Sequence, residues 1–377
     1  MHFFELITYL PFIAAGTLGF GFLVGFHELG HFLFCKLFGV RTPSFSIGFG
    51  PKLLKKQIGD TLFSISALPF GGYVEIAGAD EPGQGEQKES KSTAADSLAV
   101  KPYYQKMLII AGGIIFNIIF AYAAVTAACM LGVPETQLLF PHNATSKISK
   151  VIQDSPAAKA GLQEGDTIEA IRAGDQEYEL SRMPVADFMQ NLLLTLGKNA
   201  NKEVTLRITR SGQEQDSGAY AVNVTPATTG LGITFSFLPV KAQGFMQALR
   251  MGAKQINFWI SSAVDALTKL FRERTMKGIG GPVMVISAMI KNAEQGFTLF
   301  LLFLAFISVN LAVMNLIPLP VFDGGQALFY TIEAIIGKPL YDSLRTAITY
   351  ATWLVLLALI SFITLQDILI LVKPYFG

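Results

Sequence analysis

The sequence predicts a polytopic α-helical membrane protein with four transmembrane helices, a membrane-associated β-hairpin and one small inserted α/β domain. Hydrophobic residues make up 51% of the 377 residues and charged residues only 15%, whereas a typical soluble domain is about 25% charged. Four apolar stretches are each long enough to cross a bilayer, which takes about 20 helical residues. Between these stretches, short alternating apolar and polar segments are typical of β-strands.

The four apolar stretches lie near 6–38, 106–132, 298–318 and 345–372. No Lys or Arg precedes the first stretch, whereas several lie between the first and second or the third and fourth stretches or at their ends, among them Lys36, Arg41, Lys52, Lys55, Lys56, Lys101, Lys106, Lys338 and Arg345. Because cytoplasmic loops are enriched in these residues, we expect both loops inside the cell and both termini outside. The net charge of +1 shows no basic excess, so we expect no nucleic-acid partner.

These patterns divide the chain into eight predicted segments. They are a first transmembrane helix (1–38), a membrane-associated β-hairpin (39–77), a cytoplasmic linker (78–103), a second transmembrane helix (104–133), an extracytoplasmic domain (134–240), an amphipathic surface helix with a connector (241–297), a third transmembrane helix with the turn after it (298–340) and a fourth transmembrane helix (341–377).

The predicted hairpin alternates apolar and polar residues over 42–74, with turn signals at Gly50-Pro51 and Gly59-Asp60. Such alternation suits a half-buried strand pair. The hairpin either covers a site in the membrane or offers an edge strand with which an extended peptide pairs. In the second case Ile47 and Phe49 are candidate substrate-binding residues. The sequence leaves both roles open.

The external segment begins with turn and helix-start signals at 155–167, and strand-like runs follow at 203–210 and 219–225. This pattern resembles a PDZ domain. Residues 230–233 are either a carboxylate-binding loop of such a domain or its closing strand, and we favour the strand. Residues 245–274 carry apolar side chains at spacings of three and four. We expect an amphipathic helix there, lying either on the membrane lipid or against the inserted domain.

The first apolar stretch contains His27-Glu28-Leu29-Gly30-His31, although the whole chain has only four histidines. On a helix, residues four apart share a face, so both imidazoles can reach one metal ion. Glu28 is turned about 100° from His27 and can address a metal-bound water instead. Zinc suits two histidines and a carboxylate, with a fourth position left for water. Polar groups midway along an apolar span are costly without a shared partner.

Two residues are candidates for the third metal ligand. Cys35 continues the stripe of His27 and His31, but on a straight helix it lies about 12 Å from His27, so we expect it to pack as an apolar residue. Asp323 follows Pro318 and Pro320 at the inner end of the third span. Prolines break the helix there and let a carboxylate turn inward. We therefore expect Asp323 to complete the site.

At this point the chain resembles the site-2 protease family of intramembrane metalloproteases, and most closely its bacterial regulator of sigma-E protease group. The resemblance is carried by the HELGH motif at 27–31, Phe70-Gly71-Gly72-Tyr73-Val74, Gly112-Gly113 with Asn117, Gly281-Pro282, and Asn315-x-x-Pro318-x-Pro320-x-x-Asp323-Gly324. The order and spacing of these motifs along the chain are specific, although each motif alone is weak.

The resemblance implies that His27, His31 and Asp323 bind zinc, that Glu28 is the catalytic base and that Asn117 and Asn315 contact substrate. It further implies cleavage of single-span membrane proteins, already trimmed by another protease, in regulated intramembrane proteolysis. Anti-sigma factors and signal-peptide remnants are the expected substrates, and the bacterial inner membrane is the expected location.

Two alternatives use the same residues differently. A membrane metal transporter would use the histidines and carboxylates as a transit site, but transporters commonly show repeated halves, and the sequence has none. An inactive PDZ scaffold on a membrane anchor would not need an intact Glu28 and Asp323. We expect neither alternative.

Overall fold

The computed structural model describes residues 3–79, 89, 91–210, 220–227, 230–273 and 280–376. These residues form two compact units. The membrane unit comprises Met1–Ala128 and Gly244–Gly377, and the inserted unit comprises Cys129–Gln243.

The elements are numbered in chain order. The helices are α1 (Phe3–Leu37), α2 (Tyr103–Leu131), α3 (Pro156–Lys159), α4 (Val185–Lys198), α5 (Phe245–Glu273), α6 (Pro282–Glu294), α7 (Phe297–Asn315), α8 (Asp323–Ile336) and α9 (Asp342–Phe376). The strands are β1 (Ser44–Ile58), β2 (Thr61–Glu75), β3 (Ala144–Val151), β4 (Thr167–Ala173), β5 (Gln176–Glu179), β6 (Val204–Thr209), β7 (Tyr220–Val224) and β8 (Ile233–Phe237).

Four helices are long and apolar enough to cross a membrane, as the sequence predicted. Their candidate spans are Tyr9–Leu37, Tyr103–Leu131, Phe297–Asn315 and Asp342–Ile370. They belong to α1, α2, α7 and α9. The prediction of four membrane-crossing helices is therefore confirmed.

Helices α1 and α2 cross in backbone contact at a pair of glycines. A Cβ atom on Gly30 would lie 2.2 Å from the carbonyl oxygen of Gly112, and one on Gly112 would lie 2.7 Å from the carbonyl oxygen of Gly30. Small residues at a helix crossing allow such an approach inside a membrane. Packed rings of Phe26 and Phe116, with centroids 5.3 Å apart, continue the contact on one side.

Strands β1 and β2 pair as an antiparallel two-stranded sheet, but each strand is long and bent. Residues 44–47 of β1 pair with 62–65 on one side and with 72–75 on the other. The sheet is therefore wider than a simple hairpin, and 72–75 forms one of its edges. This edge lies against α1, because a Cβ on Gly72 would contact Cγ of Glu28 at 3.7 Å.

The inserted unit is a sheet in the order β7-β6-β4-β3-β8, with β5 also paired to β4. Helix α4 covers its core, and Phe188, Met189 and Leu192 are buried there. The carboxylate of Asp166 is buried and receives two hydrogen bonds from Arg210, at 2.7 and 2.8 Å. This pairing raises the pKa of Arg210. Strand β8 pairs with β3, as expected if residues 230–233 lead into a closing strand.

The apolar face of α5 packs within the membrane unit. Ile256 and Trp259 are buried, and the Trp259 ring contacts Phe306 of α7 edge-on, with centroids 5.4 Å apart. A Cβ on Gly252 would lie 3.2 Å from Oγ1 of Thr126 in α2. The sequence had left membrane lipid and the inserted domain open as the partner of this face. Within the described membrane unit, Gly252 and Trp259 of this face contact α2 and α7.

A carboxylate on α9 caps α6. Asp367 is buried, with 2% of its surface exposed. Its two carboxylate oxygens accept hydrogen bonds from the backbone N–H groups of Gly281, at 3.1 Å, and Met284, at 3.0 Å. The first backbone N–H groups of a helix have no hydrogen-bond acceptor within that helix. Asp367 supplies the acceptor from a neighbouring helix. This contact ties α9 to α6.

Candidate metal centre

Three side chains from two helices converge at the centre of the membrane unit. His27 and His31 lie one turn apart on α1, and Asp323 is the first residue of α8. Helix α7 ends at Asn315, and the chain then turns through Pro318 and Pro320 before α8 begins. The turn brings the Asp323 carboxylate against both imidazoles.

The nitrogen and oxygen atoms of these three side chains lie close enough together to share one metal ion. The two Nε2 atoms lie 3.2 Å apart. Nε2 of His27 is 3.4 Å from Oδ2 of Asp323, and Nε2 of His31 is 3.5 Å from Oδ1. Zinc binds nitrogen and oxygen at about 2.0–2.1 Å, which sets the edge of the ligand tetrahedron at about 3.3 Å. The donor set and its spacing therefore fit zinc.

The orientation of His31 leaves its Nε2 free to bind a metal. Nδ1 of His31 lies 2.8 Å from the carbonyl oxygen of Ile109. A carbonyl only accepts hydrogen bonds, so Nδ1 carries the proton and donates it. Nε2 therefore presents a lone pair. Metal-bound histidines commonly donate their other ring N–H in this way.

Asn117 orients His27 in the same manner. Its side-chain amide lies 3.0 Å from Nδ1 of His27, while its other polar atom, Oδ1, is buried without a hydrogen-bond partner. The two ends of a carboxamide are assigned from the hydrogen-bond network. With the amide turned by 180°, Oδ1 accepts a hydrogen bond from Nδ1 of His27. Nε2 of His27 then also presents a lone pair.

The negative charge of the Asp323 carboxylate is buried without a neutralising partner among the described residues, and a cation would provide one. Its side chain is only 17% exposed, and Oδ2 is buried without a hydrogen-bond partner. A buried carboxylate is costly unless it is paired or coordinates a metal. Two neutral imidazoles do not neutralise its charge. A divalent cation among the three groups would do so.

Gly113 of α2 forms one wall of the centre. A Cβ atom there would lie 2.4 Å from both Cε1 of His27 and Nε2 of His31. No larger residue fits without displacing the imidazoles. Together, Gly112 brings α2 against α1 and Gly113 leaves room for the histidines.

The three groups open onto a cavity of about 190 Å³. Its other polar lining residues are Glu28, Asn117 and Asn315. The apolar lining residues are Val24, Val74, Ile76, Leu98, Ile110, Leu311 and Val321. Glu28 is buried, with 7% of its surface exposed, and therefore faces the same enclosed space as the candidate ligands.

The structure brings together most of the residues that the sequence singled out. His27, Glu28, His31, Asn315 and Asp323 all line this cavity, as does Asn117.

The hairpin residues Ile47 and Phe49 are not among the lining residues. Ile47 packs on Gly25, where a Cβ would approach it to 3.2 Å, and Phe49 stacks on Tyr73 with ring centroids 6.3 Å apart. Cys35 is buried in an apolar cluster, as expected for a packing residue.

Sequence reasoning did not assign Gly113, Val74 or Ile76 to the site. Gly113 was visible only as part of a glycine pair in an apolar span. Val74 and Ile76 follow the paired glycines at 71–72 and line the cavity from β2 and the residue after it. The motif at 70–74 was the available signal, but the alternation of apolar residues pointed instead to β1.

Comparison with known proteins gives a consistent family assignment. A protein of Clostridium perfringens named as a candidate zinc metalloprotease is 29% identical over 365 residues, covering 95% of this chain and 98% of its own length. The zinc metalloprotease RasP of Bacillus licheniformis is 26% identical, covering 94% of this chain and 98% of its own length. The chloroplastic membrane metalloprotease ARASP of Arabidopsis thaliana is 29% identical, with 82% and 68% coverage. The model of peptidase family M50 matches residues 15–359, and the chain belongs to this family.

Proposed function

We propose that this protein is an intramembrane zinc metalloendopeptidase that cleaves transmembrane segments of membrane proteins. The observation that carries the proposal is the convergence of His27, His31 and Asp323 inside the membrane unit, where the nearest nitrogen and oxygen atoms of each pair lie 3.2–3.5 Å apart. A buried glutamate, Glu28, shares their cavity. Membership of peptidase family M50 and the names of the related proteins support the same activity.

His27, His31 and Asp323 would hold the zinc ion. When bound, zinc polarises a peptide carbonyl and lowers the pKa of a water molecule to near 7. Glu28 accepts the proton of the attacking water and later delivers it to the leaving amine. The side chain of Asn315 donates a hydrogen bond to the developing oxyanion. Asn117 acts as a positioning residue, because it fixes the ring of His27.

The substrate must unwind before it is cut, because a transmembrane helix hides its peptide bonds in its own hydrogen bonds. The edge of the sheet at 72–75 lies beside Glu28, and no described strand pairs its outer side. We propose that this edge pairs with the unwound segment. Val74 and Ile76 then contact substrate side chains, and Ile47 and Phe49 support the edge from within the sheet. The exposed apolar residues of β1 suit burial of the hairpin in the membrane surface.

The inserted unit acts before the chemistry in this proposal. We assign it as a single PDZ domain on the extracytoplasmic side, admitting single-span proteins that another protease has already trimmed. Anti-sigma factors and signal-peptide remnants are the substrate classes that we propose. The location would be the bacterial inner membrane, with both termini extracytoplasmic and the loops rich in Lys and Arg in the cytoplasm.

A cleavage assay with purified full-length protein tests the function. In detergent, with one equivalent of zinc and a single-span model substrate, we expect a cut that a chelator abolishes. Glu28→Gln should retain zinc and lose cleavage, whereas His27→Ala should lose both. Glu135→Gln, at an exposed position, is the matched control. Full activity of Glu28→Gln would overturn the assignment of the base, and zinc binding by wild type without any cleavage would favour a transporter or a scaffold.

A further inference from the structure

A second cavity of the membrane unit lies apart from the metal centre. It has a volume of about 670 Å³ and is bordered by the start of α2, the end of α8, the start of α9 and residues 91–93. Nothing in the proposed mechanism uses it.

The charged residues that line this cavity are mostly basic. Lys91, Lys106, Lys338 and Arg345 line it, against two acidic residues, Glu333 and Asp342. Glu333 also accepts a hydrogen bond from the backbone N–H of Leu340 at 3.0 Å. Among the residues that the structure describes, four bases against two acids give the lining an excess of positive charge.

Two of these cations are held over the same aromatic ring. Nζ of Lys106 lies 5.0 Å from the ring centroid of Tyr330, and Cζ of Arg345 lies 5.2 Å from it. The charges are thus no further apart than the sum of these two distances. Lys106 also donates to the carbonyl oxygen of Ala99 at 2.9 Å, and Arg345 donates to the side chain of Gln326. Contacts with the fold therefore hold both cations beside Tyr330 despite their repulsion.

Membrane topology alone does not explain why Lys106 and Arg345 both lie beside Tyr330. Basic residues anywhere on a cytoplasmic loop satisfy the positive-inside rule, as the exposed Lys55 and Lys56 of β1 do. Two cations held beside one buried tyrosine instead place fixed positive charge in the cavity, which suits an anion.

The position of the cavity indicates the source of the anion. The candidate spans of α2 and α9 begin at Tyr103 and Asp342, and both residues line the cavity. The site therefore lies where two spans enter the apolar phase, which is the level of lipid headgroups. Leu344 and Ile348 are exposed farther along α9 and offer an apolar surface for acyl chains. Basic pockets between transmembrane helices bind anionic headgroups in this way.

We propose that this cavity binds the phosphate group of an anionic phospholipid, with Lys106 and Arg345 as its principal ligands. Lys91 and Lys338 contribute from the rim. A bound lipid would link α2, α8 and α9 at one end of the membrane unit. The proposal is independent of the proposed peptidase activity, because none of these residues lines the metal cavity.

Native mass spectrometry of the full-length protein tests the site. The protein in detergent is titrated with dioleoyl phosphatidylglycerol, with zwitterionic dioleoyl phosphatidylcholine and, separately, with inorganic phosphate. We expect one retained phosphatidylglycerol per chain and a clear preference over phosphatidylcholine. Lys106→Gln combined with Arg345→Gln should weaken retention about thirtyfold, as expected for the loss of two interfacial cations.

Three further arms keep the test decisive. Lys338→Gln, at an exposed position, removes a rim charge without touching the tyrosine, and it should weaken retention severalfold even if the double variant folds poorly. Lys55→Gln combined with Lys56→Gln is the matched control and should retain the lipid. Equal retention of the two lipids by wild type would overturn the proposal, as would unchanged retention in both cavity variants or an equal loss in the control. Binding of inorganic phosphate without any lipid preference would assign the site to free phosphate and overturn the lipid proposal.

Discussion

Replacement of Gly113 by alanine tests the construction of the metal centre. The new Cβ would lie 2.4 Å from atoms of both His27 and His31, whereas ordinary van der Waals contact begins at 3.4 Å. The imidazoles, or the whole of α2, must therefore move by about 1 Å, and a displacement of that size in a catalytic site costs about 100-fold in rate. We also expect zinc affinity to fall about 10-fold to 100-fold, because the ligand spacing is disturbed.

The measurements are zinc affinity, by competition with a fluorescent chelator, and cleavage of a single-span substrate at saturating zinc. Gly197→Ala is the matched control. Gly197 lies on helix α4, and a Cβ there has nothing within 4 Å. It should keep wild-type zinc affinity and turnover, with helix stability raised by about 1 kcal/mol. If Gly113→Ala binds zinc and turns over substrate within twofold of wild type, the glycine is not required and the reasoning fails.

Three further predictions follow from other contacts. Asn117→Leu should lower zinc affinity about tenfold by releasing the ring of His27. Asn117→Asp should largely preserve zinc affinity, because a carboxylate still accepts a hydrogen bond from Nδ1 of His27. Equal losses of affinity in the two variants would contradict the positioning role. Asp367→Ala should lower the free energy of unfolding by about 1–3 kcal/mol, because two backbone N–H groups at the start of α6 lose their acceptor. The loss is measured as a lower melting temperature in detergent, and an unchanged melting temperature would count against the cap. Val74→Trp should fill part of the cavity and reduce cleavage at least about tenfold with zinc content unchanged. The control Val185→Trp, at an exposed position, should have no effect. Normal cleavage by Val74→Trp would exclude β2 as the substrate edge.

The sequence predicted the parts of the site that depend on local geometry. Residues four apart on a helix always share a face, so the convergence of His27 and His31 needs no tertiary information. Asp323 was reached because prolines end α7 and leave a carboxylate at the same membrane level. The four apolar spans were readable from length and composition.

The remainder depends on non-local pairing. Residues 44–47 pair with two separate segments of β2, and alternation within each strand carries no information about such register. The proposed substrate edge therefore shifted from Ile47 and Phe49 to Val74. The partner of α5 was undecided for a similar reason, since an amphipathic pattern shows that one face is covered but not by what.

X-ray absorption at the zinc edge of the loaded full-length protein tests the central claim most directly. Two imidazole nitrogens and carboxylate or water oxygen at about 2.0–2.1 Å are expected in the wild type, with the zinc signal lost or the oxygen shell altered in Asp323→Ala. An unchanged spectrum and zinc content in Asp323→Ala, or a wild-type shell without two imidazoles, would contradict a site built from α1 and the start of α8.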